Sequence, residues 1–142
     1  MQHKQIITTN APAPGNYSQG RIVEFDQCTI VCTSGQTGND PKTDDVVGND
    51  IESQTLRTLK NIEGIINEAG GSIEDIVTIT VYLKNMSRDK QGFDAIYKSF
   101  FTGCKYLPAR SLVEVVEIPL ITENTIVEIQ ATAYISKSSS TH

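Results

Sequence analysis

The chain has 142 residues, a mass of 15.6 kDa and a formal net charge of −5. That length supports one domain around one core, and 38% apolar against 20% charged residues excludes a disordered composition. The acidic balance argues against a broad nucleic-acid surface, which needs clustered Lys and Arg, and no apolar run is long enough to cross a bilayer.

In chain order, Lys4 to Thr8 reads as a short strand and the Pro/Gly-rich stretch Asn10 to Gly20 as a loop. Arg21 to Phe25 and Thr29 to Thr33 form a predicted hairpin turning at Asp26-Gln27, and Ser34 to Asn49 is a polar loop. Asp50 caps a long predicted helix, whose Leu56, Leu59, Ile62, Ile66 and Ala69 recur at three- and four-residue steps. Gly70-Gly71 ends that helix and Ser72 caps a brief turn. Ile76 to Leu83 alternates as a half-buried strand. A second helix is predicted from about Asp89 to Thr102, with Phe93, Ile96, Tyr97, Phe100 and Phe101 on one stripe. Ala109 to Ile118 and Thr125 to Ser136 are the last two strands.

The order β, β, β, α, β, α, β, β predicts an α+β domain: a mixed, mainly antiparallel sheet with both helices on one face. It spans residues 1–136 and leaves 137–142 as a disordered tail. Val113, Val115, Ile126, Ile129, Ala131, Ala133 and Ile135 place apolar side chains on both faces of the final strands. Two helices cover only one face, so the other is expected to pack against further copies of the chain.

Three cysteines, Cys28, Cys32 and Cys104, make no disulfide framework. The N-terminal Met1-Gln2-His3-Lys4-Gln5 has no apolar signal region, so a cytoplasmic protein is expected. The two histidines are His3 and His142, next to the termini, which argues against a His triad or a His-ligated metal. No phosphate-binding or dinucleotide-binding glycine motif occurs, so no cofactor is expected. Chemistry then falls to Arg, Glu, Tyr, Ser or backbone groups.

Arg110 follows Leu107-Pro108-Ala109 and enters an apolar strand, so its guanidinium needs an anion. The residues leave two choices: a structural pair with Glu114, Glu117 or Glu128, or bidentate capture of a substrate carboxylate. Glu128 lies between Val127 and Ile129. It is either an outward-facing strand residue or a carboxyl whose apolar setting tunes it for acid–base work. Tyr17 in the Pro/Gly loop reads as a packing anchor, Ser34 has no His to activate it, and Gly35 would let a backbone amide approach a ligand.

Several blocks together resemble the RidA family, the reactive-intermediate deaminases also called YjgF or L-PSP endoribonuclease-like proteins. They are Pro14-Gly15-Asn16-Tyr17-Ser18-Gln19-Gly20, Thr33-Ser34-Gly35-Gln36, Asp40-Pro41-Lys42-Thr43, Tyr97-Lys98-Ser99-Phe100-Phe101, Pro108-Ala109-Arg110-Ser111-Leu112-Val113-Glu114-Val115 and Val127-Glu128-Ile129. The resemblance runs from about Ile6 to Tyr134. Thr37-Gly38, Asp94, Leu112 and Val116-Glu117 depart from the family pattern.

The resemblance implies a chorismate-mutase-like fold, a homotrimer with an internal β-barrel, and sites between subunits. It implies cofactor-independent hydrolysis of 2-aminoacrylate-type enamine and imine acids to 2-keto acids and ammonia. On this chain Arg110 would bind the substrate carboxylate beside Gly35. Glu128 would activate water, Ser34 would line the pocket, and Tyr17, from the neighbouring subunit, would close it. Two other functions stay open: an L-PSP-type endoribonuclease or translation inhibitor, and a non-enzymatic trimer that binds 2-keto acids.

Overall fold

In the computed structural model the described residues are 1–119 and 124–137. Six strands form one sheet: β1 (Gln2–Ile6), β2 (Gly20–Glu24), β3 (Cys28–Thr33), β4 (Ile76–Leu83), β5 (Ala109–Glu114) and β6 (Val127–Ser136), in the spatial order β1-β2-β3-β6-β4-β5. The two helices are α1 (Ile51–Glu68) and α2 (Met86–Phe100). All strand pairs are antiparallel except β4–β5. That pair is parallel because α2 carries the chain back across the sheet between them. The predicted element order and α+β class are those observed.

Local chemistry sets the helix limits. The Asp50 side chain accepts from the Ser53 amide at 2.8 Å and starts α1. Gly70, at φ +89°, ends it in the left-handed conformation expected of the Gly-Gly pair. The buried stripe of α1 is Ile51, Leu59, Ile62, Ile65 and Ile66; Leu56 lies off it and is 39% exposed. The same stripe also buries Gln54, Thr55, Thr58 and Asn61. Helix α2 begins three residues earlier than predicted, because Asn85 accepts from the Arg88 amide at 3.1 Å and serves as its cap. Its Phe93 and Tyr97 rings lie 5.7 Å apart and Tyr97 and Phe101 4.8 Å apart, filling the space between α2 and the sheet.

Strand β4 does not alternate strictly. Its register slips between Ile76 and Thr78, so Ile76 joins Ile79, Val81 and Leu83 on the buried face while Val77 is exposed. Strand β5 ends at Glu114 instead of Ile118, and Lys137, expected to open the tail, still donates its amide to Gln27 O at 3.1 Å. Residues 138–142 of the expected tail lie outside the described residues.

The two sheet faces differ more than the sequence suggested. Val127, Ile129, Ala131 and Ala133 all face the helices and are fully buried. Ile135 packs on the same core. Of the apolar residues expected on the open face, Val113 is the strand residue that stands there, 42% exposed. It pairs with Tyr82, near Thr80 and Gln130, and further along the same face Tyr134 pairs with Ile30, so the open face mixes polar, aromatic and aliphatic side chains.

Candidate functional site

Glu128 sits near the start of β6, with Tyr82 across the ladder on one side. Val127 and Ile129 point into the core, so alternation sends the Glu128 side chain to the open face. The loop after β3 is fastened beside it. Gln36 donates its amide to Ile129 O at 2.8 Å, and Ile129 returns a bond to Gln36 O at 2.9 Å. This bridge presses Gly35 against the Glu128 carboxylate. A Cβ at Gly35 would stand 2.8 Å from Glu128 Cδ, so glycine is required for close approach. Glu128 accepts no hydrogen bond from the described residues, and burial pushes its carboxyl above the usual carboxylate range.

Ser34 faces the same space, but its hydroxyl is engaged. Its Oγ donates to Gln19 O at 3.1 Å and accepts from Gln36 Nε2 at 3.2 Å. Neither of these contacts is to a general base that could activate the hydroxyl. Tyr17 stands at the rim of the cleft, 60% exposed, with a Cβ at Gly15 only 3.3 Å from its Cε2. The resulting cleft has a volume of about 440 Å³ and is lined by Tyr17, Ser34, Gly35, Thr37, Asn39, Pro119 and Glu128. Tyr17 lines this cleft together with Ser34, Gly35 and Glu128 of its own chain.

Arg110 lies elsewhere. It pairs in register with Ile79, a core residue, and therefore points to the helix-covered face, opposite to Glu128. Its guanidinium carbon sits 4.8 Å from the Tyr97 ring centroid and 5.7 Å from that of Phe93. Nη1 donates to Asp94 Oδ1 at 2.9 Å. Asp94 also receives Lys90 Nζ at 2.7 Å. Burial alone would raise the Asp94 carboxyl, but the hydrogen bonds from Lys90 and Arg110, with their charges, hold it below its ordinary value. Neither Glu114, Glu117 nor Glu128 is its counter-ion. Glu114 instead accepts from the Met86 amide at 2.9 Å, supporting the start of α2. Strand β5 is an edge of the sheet, so Arg110 sits at the molecular boundary, and among the described residues one of its five N–H donors is engaged.

Sequence reasoning did not single out the buried amides that build the cleft. Gln19, 1% exposed, donates from Nε2 to Thr8 O at 2.9 Å, Ala11 O at 3.0 Å and Pro12 O at 2.7 Å, pinning the loop that carries Tyr17. Asn61 on α1 donates to Thr37 O at 3.1 Å and Asn39 O at 2.9 Å, fixing the opposite wall. For Asn61 a signal existed, since it falls inside the apolar stripe of α1. For Gln19 there was none, because a loop glutamine reads as solvated.

Among the described residues no three His, Cys, Asp or Glu side chains converge as metal ligands. No helix of the described residues is long and apolar enough to cross a membrane. Burial, together with the neighbouring Glu74, pushes the Cys104 thiol up, away from its reactive thiolate form.

A family model described as endoribonuclease L-PSP matches residues 8–135. A Salmonella typhimurium protein named 2-iminobutanoate/2-iminopropanoate deaminase is 40% identical over 132 residues, covering 92% of this chain and 96% of that protein. The crystal structure of the Escherichia coli YjgF gene product superposes with a TM-score of 0.79 at 39% identity, covering 92% of this chain and 97% of its own. Escherichia coli TdcF with bound serine gives a TM-score of 0.80 at 34% identity, covering 95% and 99%.

Proposed function

The chain belongs to the endoribonuclease L-PSP family of YjgF/RidA proteins, and from that premise we propose that it is a cofactor-independent deaminase of 2-imino and 2-enamino acids. The observation that carries this reading is the cleft carboxylate. Glu128 is half-buried, unpaired, shifted upward in pKa and held against Gly35 beside about 440 Å³ of open volume.

The reaction is R–C(=NH)–COO⁻ plus water giving R–C(=O)–COO⁻ plus ammonia. The imine nitrogen is protonated from solvent, and Glu128 takes a proton from a cleft water as its oxygen bonds to the imine carbon, forming a neutral carbinolamine. The protonated Glu128 then returns the proton to the nitrogen, the C–N bond breaks with release of ammonia, and the carbinolamine hydroxyl gives up its proton to solvent as the C=O bond forms. A raised pKa suits this double role, because the group must accept and release a proton near neutral pH. For an enamine, protonation of the β-carbon first gives the imine. Positioning supplies most of the gain, since imines hydrolyse spontaneously in water.

The substrate carboxylate needs a cation, and the cleft lining contains none. Arg110 of the same protomer points to the other sheet face, so the cation is supplied by a neighbouring copy in a homotrimer. Arg110, not Tyr17, then crosses the subunit boundary. Phe93 and Tyr97 support the guanidinium from below, and its remaining N–H donors are available for a bidentate clamp. A net charge of −5 does not favour the phosphate backbone of RNA, which weighs against the ribonuclease reading.

The test is direct. An amino-acid oxidase generates the imino acid in situ, and 2-keto acid formation is followed with semicarbazide as competing trap. The protein should accelerate release of the keto acid; a rate equal to that of the protein-free control overturns the proposal.

A further inference from the structure

The catalytic cleft has an annex. A second cavity of about 220 Å³ meets it at Pro119 and Glu128 and is lined by Tyr82, Val115, Glu117 and Ile118 as well. Its walls are the Tyr82 ring and three aliphatic side chains, of which Ile118 is 2% exposed. Val115 is fastened to the end of β4 by its amide, which donates to Leu83 O at 2.9 Å. One further charged residue lines this space: Glu117. No Lys or Arg among the described residues lies within ion-pair distance of it.

The joined cavity therefore holds two carboxylates and no cation of its own protomer. One, Glu128, stands at the reacting centre. The other, Glu117, lines the annex and is exposed to solvent. A substrate side chain leaving the imine carbon past Glu128 into the annex would meet aliphatic and aromatic walls and a solvent-exposed negative charge. Methylenes ending in a cation match that lining, since the stem stays against the walls while the head reaches the carboxylate and solvent. A purely apolar side chain would gain nothing from Glu117, which is exposed and stays hydrated. An acidic one would meet repulsion from it.

We infer that the annex is a side-chain subsite, and that the preferred substrates are imino acids with a cationic side chain, of the kind formed by oxidation of basic amino acids, with Glu117 as the specificity-determining residue. This rests on the deaminase reading for the reacting end of the substrate only.

The experiment compares imines generated in situ from arginine and from norleucine, with wild type, Glu117→Gln and Glu117→Arg. Wild type should favour the arginine-derived imine in kcat/KM by roughly fivefold, the ratio an accessible ion pair supplies. The ratio should fall to about one in Glu117→Gln, chiefly through KM, and invert in Glu117→Arg. Equal use of both imines by wild type, or an unchanged ratio in Glu117→Gln, overturns the subsite. If neither imine is hydrolysed faster than in buffer, the deaminase reading fails and calorimetry of arginine and norleucine binding decides the annex. Tighter arginine binding that is lost in Glu117→Gln supports it, and equal binding overturns it.

Discussion

At the scale of single residues, the proposal divides labour between two groups on opposite sheet faces. Arg110→Ala should lower kcat/KM for imino acids by about two orders of magnitude, because a charge-assisted bidentate clamp is removed. Arg110→Lys should recover only part, lacking the planar fork. Kinetics on the two variants check this, and an Arg110→Ala protein of undiminished turnover would sink the assignment. Glu128→Gln should abolish turnover, and wild-type turnover should fall on the acid side as the raised Glu128 carboxyl takes up its proton. The substitution should also stabilise the fold. A carboxyl whose folded pKa is raised binds more protons folded than unfolded, so stability falls as pH rises from the ordinary carboxylate value through the raised one. The melting temperature of Glu128→Gln should therefore exceed wild type at pH 7 by on the order of a degree or two, and the difference should shrink in acid. Arg110 and Glu128 were visible in the sequence as candidates because charged residues in apolar strands are conspicuous. Their directions were not, since those depend on strand register and on where α2 lies.

Elements turn these residues into a site through two loops held by backbone groups. The Gln36–Ile129 bridge sets Gly35 on Glu128, and Gly35→Ala tests it. The added methyl meets the end of a flexible side chain, so the fold should persist with its melting temperature nearly unchanged while Glu128 swings aside. A displacement of that size should lower kcat by about 10²-fold. The Pro/Gly loop depends on Gln19, whose amide holds three carbonyls. Gln19→Ala should destabilise the protein by about 1–3 kcal/mol in denaturant unfolding, since those carbonyls lose a buried donor. It should also raise KM, because Tyr17 rides on that loop. The elements themselves were legible as patterns: period-two strands, an i, i+3, i+4 stripe and caps at Asp50 and Gly70. The β4 bulge and the early start of α2 were not, because each turns on one local hydrogen-bonding choice that periodicity does not register.

For the whole molecule, the decisive point is that one protomer cannot offer Arg110 and Glu128 to one ligand. The proposed trimer, closed by rotation, would place the edge strand β5 of each copy against the cleft of the next. Mixed assemblies of Arg110→Ala and Glu128→Gln chains, each inactive alone, should recover activity, because some interfaces then combine an intact Arg110 with an intact Glu128. Random mixing of equal amounts should restore about a quarter of wild-type turnover, the chance that a site draws its Arg from one variant and its Glu from the other. No recovery in mixtures shown by mass to contain both chains would place the site within one protomer and remove the trimer argument.

The amino-acid sequence alone determined the α+β class, the element order, the family and the residue types available for chemistry. These follow from local periodicity, from capping and turn residues, and from blocks such as Pro108-Ala109-Arg110-Ser111. Only the tertiary structure decided which side chains share a cleft. Face and register are set by pairings between segments distant in the chain, such as Ala131 with Thr33, 98 residues apart, and a change of one place in that register would send Glu128 into the core and its apolar neighbours to solvent.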